Sequence, residues 1–265
     1  FAYTHAVRVP DADRIHAVDR YWRVAEFLGA GDIPKRFHVP LDPAEVEAVR
    51  AELADCPRPW VAVAAGAKWV TTRWPAGHFA EVLNRVRAAF GGTAVFVGAG
   101  DDSALSREVM RGLGPENPSH RPPPLGGEGE SNTAGGWSPP LPPREGGPGG
   151  VGPPARDLTG RTSLPRLAAV LSLCNAMLGN DTGPLHLAAA LGVPCVAPYT
   201  CTRVALHGPY TSPAGGAETR VACAGSYRKT CGNMICMPEL TPDRLWPRLA
   251  EVLDAWQRNR HSRSA

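Results

Sequence analysis

The sequence predicts an α/β fold of the doubly wound type, in which helices cover both faces of a parallel sheet. Two strand–loop–helix units occupy residues 57–113, and a third runs from an apolar strand at 176–179 into a helix that begins at Pro184 and ends at Gly192. A further apolar stretch at 193–200 predicts the next strand. Buried strands that alternate with helices are typical of parallel sheets, whose ligands bind at the carboxyl ends of the strands.

Composition and charge exclude several classes of protein. The 265 residues carry a net charge of +3, which is too small for a nucleic-acid surface. The sequence contains no run of about eighteen apolar residues, so we predict no membrane span. It also does not open with a charged segment followed by an apolar one, so we predict no signal peptide. Seven cysteines, an odd number, fit a reducing compartment better than a disulfide framework, so we expect a cytoplasmic protein.

The first elements in chain order are two helices. Residues 16–31, HAVDRYWRVAEFLGAG, carry apolar residues at roughly helical spacing. A second helix is predicted at 42–53, with Asp42 as its N-cap, Pro43 at its first position and Glu45 as the partner in a capping box. We expect the second helix to have a structural role.

The two units that follow build the first half of the sheet. A strand within 59–69 ends in a loop of small residues, and an amphipathic helix runs from Pro75 to the glycine pair that begins at Gly91. A second buried strand lies within 93–102 and passes through another glycine loop into a helix at 103–113. The loops after both strands are predicted to lie at the same edge of the sheet.

Residues 115–155 differ sharply in composition, because Pro, Gly, Ser and charged residues account for nearly all of them. Such a stretch cannot bury enough apolar surface to offset the entropy of ordering, so we expect a disordered insert. The strand–helix pattern resumes in phase at Asp157. We therefore treat 42–257 as one domain with a polar tail at 258–265. A proline-rich docking segment for a partner is the alternative to a passive insert.

The loop from Asn180 to Gly183 joins a buried strand to a helix whose two ends are marked in the sequence. Unpaired N–H groups and the positive end of the helix dipole point at such a loop, which makes phosphate its natural ligand. An ordinary βα turn is the alternative. Asp181, Thr182 and His186 lie within one turn of a glycine, and this concentration of polar groups favours a binding site.

These same residues carry a resemblance to a known family. The segment Asp181-Thr182-Gly183-x-x-His186 resembles the signature of the glycosyltransferases that include the lipopolysaccharide heptosyltransferases, glycosyltransferase family 9. In that family the segment lines the site of an ADP-sugar. The run GAKWVTTRWPAGHFAEVL at 66–83 and the Gly-x-Thr-Ser-Leu-x-x-Leu run at 160–167 are similar to two further family segments. The resemblance extends from about residue 57 to residue 199, except in the insert.

The resemblance also implies which side chains contact the donor. The family lysine that contacts the sugar-nucleotide phosphate falls on Thr72, so we expect Lys68 or Arg73 to supply the cation; simple solvation of both is the alternative. Asp102 falls where the family has a glutamate that reaches the nucleotide, with Asp101 as the alternative. The residues implied to bind substrate are Lys68, Thr72, Arg73, Asp102, Asp181, Thr182, Gly183 and His186.

By resemblance, the chain is the nucleotide-sugar-binding half of a two-domain GT-B glycosyltransferase, with residues 1–41 as a remnant of the acceptor-side domain. The implied reaction transfers a sugar, typically heptose, from an ADP-sugar to a glycolipid acceptor of the lipopolysaccharide core, with inversion and without a metal or other cofactor. Catalytic roles are implied for His186, as a donor to the leaving diphosphate, and for Asp181, as a hydroxyl acceptor or a brace of the loop. The family's base is an aspartate in the opening loop of the first domain, which we do not find here.

Two other hypotheses remain open at this point. A non-catalytic remnant that binds nucleotide sugars is favoured by the residue at Thr72 and by the missing first domain. A sugar-nucleotide epimerase of related build is less favoured, since its acid–base carboxylates are not found. We expect peripheral membrane association through the acceptor, and no nucleic-acid partner. Three tail cysteines have spacings unsuited to a zinc site: Cys223, Cys231 and Cys236.

Overall fold

A computed structural model of the protein describes residues 4–114 and 154–262. Within these residues six parallel strands form one sheet in the order β3-β2-β1-β4-β5-β6. This order confirms the predicted doubly wound fold, in which the chain direction across the sheet reverses between β1 and β4. The strands are β1 (Trp60–Ala64), β2 (Thr93–Phe96), β3 (Ala155–Asp157), β4 (Ala176–Gly179), β5 (Cys195–Tyr199) and β6 (Gly216–Glu218).

Helices cover both faces of this sheet. The helices of the described residues are α1 (Ala17–Phe27), α2 (Pro43–Glu52), α3 (Ala76–Phe90), α4 (Ser103–Arg111), α5 (Leu164–Leu173), α6 (Gly183–Ala190), α7 (Val204–His207), α8 (Cys236–Glu239) and α9 (Pro242–Ser262). None of them is both long and apolar enough to cross a membrane. One face of the sheet packs against α2, α5 and α6, and the other packs mainly against α3, α4 and α9.

Strand β1 shows why the central strands are apolar along their whole length. Ala62 and Ala64 face the layer of α2, α5 and α6, whereas Val61 and Val63 face the opposite layer. Side chains of a strand alternate between the two faces, and both faces are covered here. Every residue of β1 is therefore buried, as the continuous apolar run predicts.

The ends of the helices follow local sequence signals. Asp42 Oδ1 accepts a hydrogen bond from Ala44 N at 2.9 Å, which confirms the predicted N-cap of α2. The predicted capping box is wrong, because the Glu45 carboxylate instead accepts from Arg166 of α5 at 2.9 Å and ties the two helices together. Gly91 ends α3 with φ of 71°, the left-handed conformation that favours glycine at this position.

Two three-residue strands, β3 and β6, were not predicted. Strand β3 begins at Ala155, so the insert expected at 115–155 ends before that residue. Residues 115–153 lie outside the described residues. Both strands form edges of the sheet, and β3 is only half-buried. A strand of this length is too short for the alternation of apolar residues to be detected.

Candidate functional site

The carboxyl ends of β1 and β4 form the point at which the sheet changes direction. The two strands pair in parallel, with Val61 opposite Ala176 and Ala64 opposite Gly179. The chain leaves β1 toward α3 on one face and leaves β4 toward α6 on the other. Loops that diverge in this way open a crevice, which is the usual ligand site of doubly wound sheets. The structure therefore brings the two predicted loops together.

Asn180 connects these two loops and was not among the predicted site residues. Its side chain is completely buried, with Nδ2 donating to the carbonyl of Ala65 at 2.7 Å and Oδ1 accepting from Trp74 N at 3.1 Å. Its own backbone N–H donates to Ala64 O at 3.1 Å. The only signal in the sequence was an asparagine directly after a buried strand.

Asp181 and His186 form a side-chain pair at the start of α6. Asp181 Oδ1 lies 3.1 Å from His186 Nε2, and Asp181 Oδ2 accepts from Thr202 Oγ1 at 2.8 Å. The Asp181 side chain is only 12% exposed, whereas that of His186 is 45% exposed. A carboxylate can only accept, so the ring donates from Nε2 and is held in one orientation. Asp181 thus positions His186 and leaves the imidazole accessible.

The first turn of α6 presents backbone donors to the crevice. Pro184 has no N–H, and the Leu185 N–H donates to Thr182 O at 3.1 Å, so neither residue offers a backbone donor to a ligand. The N–H groups of Thr182 and Gly183 have no hydrogen-bond partner in the described part of the chain. A Cβ at Gly183 would have no atom of the described residues within 4 Å, so these residues leave the space around this position open.

The predicted binding residues in the loop after β1 are not equally accessible to a ligand. Thr72 is buried, and its hydroxyl donates to Trp69 O at 3.0 Å within a 3-10 turn. Lys68 and Arg73 are exposed, although Arg73 Nε donates to Ala67 O at 2.7 Å. Of the three predicted binding residues in this loop, the two cations are therefore available to a ligand, and the threonine hydroxyl is used inside the turn.

Asp102 lies between the loops that follow β1 and β2. Its Oδ2 accepts from Ala99 N at 2.9 Å, and a Cβ at Gly66 would overlap its Oδ1. Any side chain at position 66 would therefore have to displace this carboxylate. Asp101, the alternative, is exposed. Asp102 thus lies against the loop after β1, and its contact with a nucleotide stays a prediction.

A cavity of about 220 Å³ adjoins His186. It lies between α1, α6 and the loop at 207–211, and burial lowers the pKa of His207 in its wall below the ordinary 6.5. Helix α1 is held there by His16 Nε2, which lies 2.9 Å from Gly208 O. Aromatic and histidine rings lining the cavity belong to His16, Tyr21, Phe37, His186, His207 and Tyr210.

The irregular segment around the three tail cysteines packs on the same edge of the sheet. Thr71 Oγ1 donates to Arg228 O at 2.5 Å, which joins this segment to the loop after β1. Cys223 is exposed, and Cys231 and Cys236 are partly buried. No group of three or more His, Cys, Asp or Glu residues that could hold a metal ion is found among residues 4–114 and 154–262.

A doubly wound sheet with a helix N-terminus open at its switch point is the architecture of nucleotide-binding α/β proteins. Comparison with known families makes the assignment specific. The chain belongs to glycosyltransferase family 9 (heptosyltransferase), whose family model matches residues 1–117 and 149–235.

Relatives agree with this assignment over part of their length. Lipopolysaccharide heptosyltransferase 2 of Escherichia coli K12 is 26% identical over 143 residues, which is 54% of this chain and 31% of that protein. The family 9 glycosyltransferase from Veillonella parvula shares the fold with a TM-score of 0.68 and 22% identity, over 93% of this chain and 62% of that one. The structure of E. coli ADP-heptose lps heptosyltransferase II shares the fold with a TM-score of 0.61 and 22% identity, over 94% of this chain and 66% of that one. The match thus covers about a third of the length of the E. coli K12 heptosyltransferase 2. It covers somewhat under two thirds of the length of the Veillonella parvula glycosyltransferase.

Proposed function

We propose that this chain is the donor-binding part of a heptosyltransferase that transfers heptose from an ADP-sugar to a lipopolysaccharide-core acceptor. Family membership supports the reaction class. The names of the relatives, lipopolysaccharide heptosyltransferase and ADP-heptose lps heptosyltransferase, support the donor and the acceptor. Residues 42–257 form the donor domain in this proposal, and residues 1–41 belong to the acceptor side.

The single observation that carries the proposal is the open first turn of α6 beside the Asp181–His186 pair. Within the described residues the N–H groups of Thr182 and Gly183 have no partner, and no atom lies within 4 Å of the Cβ position of Gly183. A diphosphate matches these donors and the positive end of the helix dipole. His186 lies one turn further along the same helix, within reach of the same space.

In the proposed mechanism an acceptor hydroxyl attacks the anomeric carbon of the donor sugar while the bond to the diphosphate breaks. Attack opposite the leaving group inverts the configuration. The negative charge that develops on the leaving diphosphate is stabilised by the start of α6, by a cation and by the His186 ring, which can donate from Nδ1 when both of its nitrogens carry a hydrogen. Since these groups supply the positive charge, the mechanism needs no metal ion. The base that takes the hydroxyl proton comes from the acceptor-side domain.

The cavity beside His186 supports a place for the acceptor. Its walls carry aromatic and histidine rings, which are suited to stack on a sugar and to bond to its hydroxyls. A glycolipid acceptor would bring the protein to the cytoplasmic face of the membrane in which that lipid is anchored. The enzyme would then act there as a peripheral protein.

A non-catalytic protein that binds nucleotide sugars is the second candidate. The buried hydroxyl of Thr72 favours it, because the residue at this position does not present a charge to the ligand. This candidate predicts binding without transfer.

The experiment is calorimetric titration of the chain with ADP-heptose, ADP and UDP, followed by a transfer assay with a heptose-deficient core acceptor. The assay uses the chain alone and then the chain together with an acceptor-side domain. We expect ADP-heptose and ADP to bind and UDP to bind more weakly. Binding without transfer under both conditions would support the non-catalytic candidate. Absence of binding to either ADP compound would contradict the donor-binding role itself.

A further inference from the structure

The segment Tyr227–Lys229 crosses the carboxyl edge of the sheet above the candidate site. Tyr227 N donates to Cys201 O at 2.8 Å in the loop after β5, and Arg228 O accepts from Thr71 Oγ1 at 2.5 Å in the loop after β1. Strand β4 lies between β1 and β5 in the sheet. A segment bonded to both neighbouring loops therefore spans the end of β4, where the Asp181 loop begins.

The backbone of this segment has an uncommon conformation. Tyr227 has φ of 57°, in the left-handed region that bulky residues rarely adopt. Its ring meets that of His207 edge-on at 5.6 Å between centroids. The contacts to Cys201 and His207 stabilise this unfavourable backbone conformation of Tyr227. Residues with such strained backbones are frequent at ligand sites. The next residue, Arg228, accepts a hydrogen bond from the loop that follows β1.

Lys229 carries a charge to that loop. Its Nζ lies 5.4 Å from the ring centroid of Trp69, at cation–π distance. Trp69 immediately precedes the 3-10 turn Val70–Thr72, and Thr72 bonds to its carbonyl. Lys229 is exposed, and none of the salt bridges formed by the described residues includes it. Among the described residues this ammonium has no carboxylate partner, and the ring that it contacts belongs to the residue directly before the turn that contains Thr72.

We propose that Lys229 supplies the cation for the donor diphosphate that the loop after β1 lacks at Thr72. This inference rests on the proposed function, because it assumes a diphosphate in the crevice. Its basis is the seating of the segment across the end of β4 and the unpaired ammonium above Trp69. A lysine stem is long and flexible, so the ammonium can leave the ring and contact a phosphate without moving the backbone. Lys229 is then a binding residue contributed by the C-terminal segment, distant in sequence from both site loops.

The test measures the affinity of the full chain and of Lys229→Ala for ADP, AMP and adenosine by calorimetry. We expect the Kd for ADP to rise on the order of tenfold, the Kd for AMP to rise less, and binding of adenosine to remain unchanged. Lys229→Arg keeps the charge and should retain most of the ADP affinity. Because Lys229 is exposed, melting temperatures of the variants should match that of the parent.

Matched variants decide where the charge comes from. Lys68→Ala and Arg73→Ala remove the two exposed cations of the loop after β1, and Arg107→Ala removes an exposed cation of α4 as a neutral control. Equal ADP affinity of the parent and Lys229→Ala would overturn the inference, and a loss in Lys68→Ala or Arg73→Ala would assign the role to that residue. A parent that does not bind ADP would instead contradict the proposed function.

Discussion

The side-chain amide of Asn180 donates to the carbonyl oxygen of Ala65 at 2.7 Å, across 115 residues of sequence. This bond joins the loop after β4 to the loop after β1 at the point where a ligand is expected. Because Asn180 is fully buried, water does not compete for the bond. The two walls of the crevice therefore hold a defined separation before any ligand arrives.

Replacing Asn180 tests this relationship. Asn180→Ala leaves the Ala65 carbonyl and the Trp74 N–H buried without partners, and we expect the free energy of unfolding to fall by about 2–4 kcal/mol. Urea denaturation measures the change. Asn84→Ala is the control, because its half-buried side chain makes one hydrogen bond to the described residues, from Nδ2 to Gly112 O. A loss no larger than that of the control would show that Asn180 is not the link between the loops.

Substitution at Gly183 tests the phosphate site. The space around its Cβ position is open and its φ is not positive, so Gly183→Val should leave the melting temperature within a few degrees of the parent. The valine side chain would occupy the approach to the Thr182 and Gly183 N–H groups, and ADP binding should be lost. Gly183→Ala should give an intermediate affinity. If the valine variant binds ADP as tightly as the parent, the phosphate lies elsewhere.

His186 should matter more for turnover than for binding. His186→Ala removes a donor whose effect grows as charge builds on the leaving group, so we expect kcat to fall about a hundredfold and the Kd for ADP to change by only about threefold. Turnover is measured with the acceptor-side domain present. His186→Gln, which keeps a donor of similar length, should lose less. Equal losses in binding and turnover would assign His186 a purely binding role.

Asp102 should contribute to nucleotide affinity. Asp102→Ala is expected to weaken ADP binding by about 1–3 kcal/mol, as for a lost hydrogen bond to a charged group. The variant also loses the bond from Ala99 N, so a melting curve must accompany the calorimetry. Asp101→Ala is the matched control one residue earlier. Unchanged affinity in Asp102→Ala together with a loss in Asp101→Ala would transfer the role to Asp101.

Stability should fall as the pH drops below the ordinary histidine pKa. Burial lowers the pKa of His78 below 6.5, and its Nδ1 has no hydrogen-bond partner among the described residues. The unfolded chain therefore takes up a proton at a higher pH than the folded chain, and protonation favours unfolding. Burial also lowers the pKa of His207, which adds to the loss of stability at low pH. The stability contributed by neutral rings is complete well above pH 6.5 and is lost below it.

Melting temperatures at pH 8 and pH 5 measure this effect. His78→Gln removes one of the two rings whose pKa is lowered by burial, so its melting temperature should fall less between the two pH values than that of the parent. The difference between variant and parent at pH 8 reports the loss of packing against Trp74 and serves as the reference. An equal fall in both proteins would show that His78 does not contribute.

The central elements could be predicted from the sequence because a strand that is buried on both faces is apolar at every position. Strands β1 and β4 are apolar throughout, and the apolar period of α3 matches the face it buries. The start of α6 could be predicted because a proline, a glycine and three polar residues mark it locally. Family resemblance then placed Asp181 and His186 in a site, and the structure brings these two side chains into contact.

What the sequence by itself determined is therefore the class of fold, its long elements and the motif at the start of α6. The tertiary structure alone decided the strand order, the role of Asn180 as a link between loops, the use of the Thr72 hydroxyl inside its own turn and the seating of Lys229 over Trp69. Each of these depends on contacts between residues far apart in the chain; Thr71 and Arg228, for example, are separated by 157 positions. A local sequence pattern predicts whether a residue is buried and where its helix or strand ends. It does not predict which distant segment packs against that residue, because the packing partner depends on the whole folded sheet.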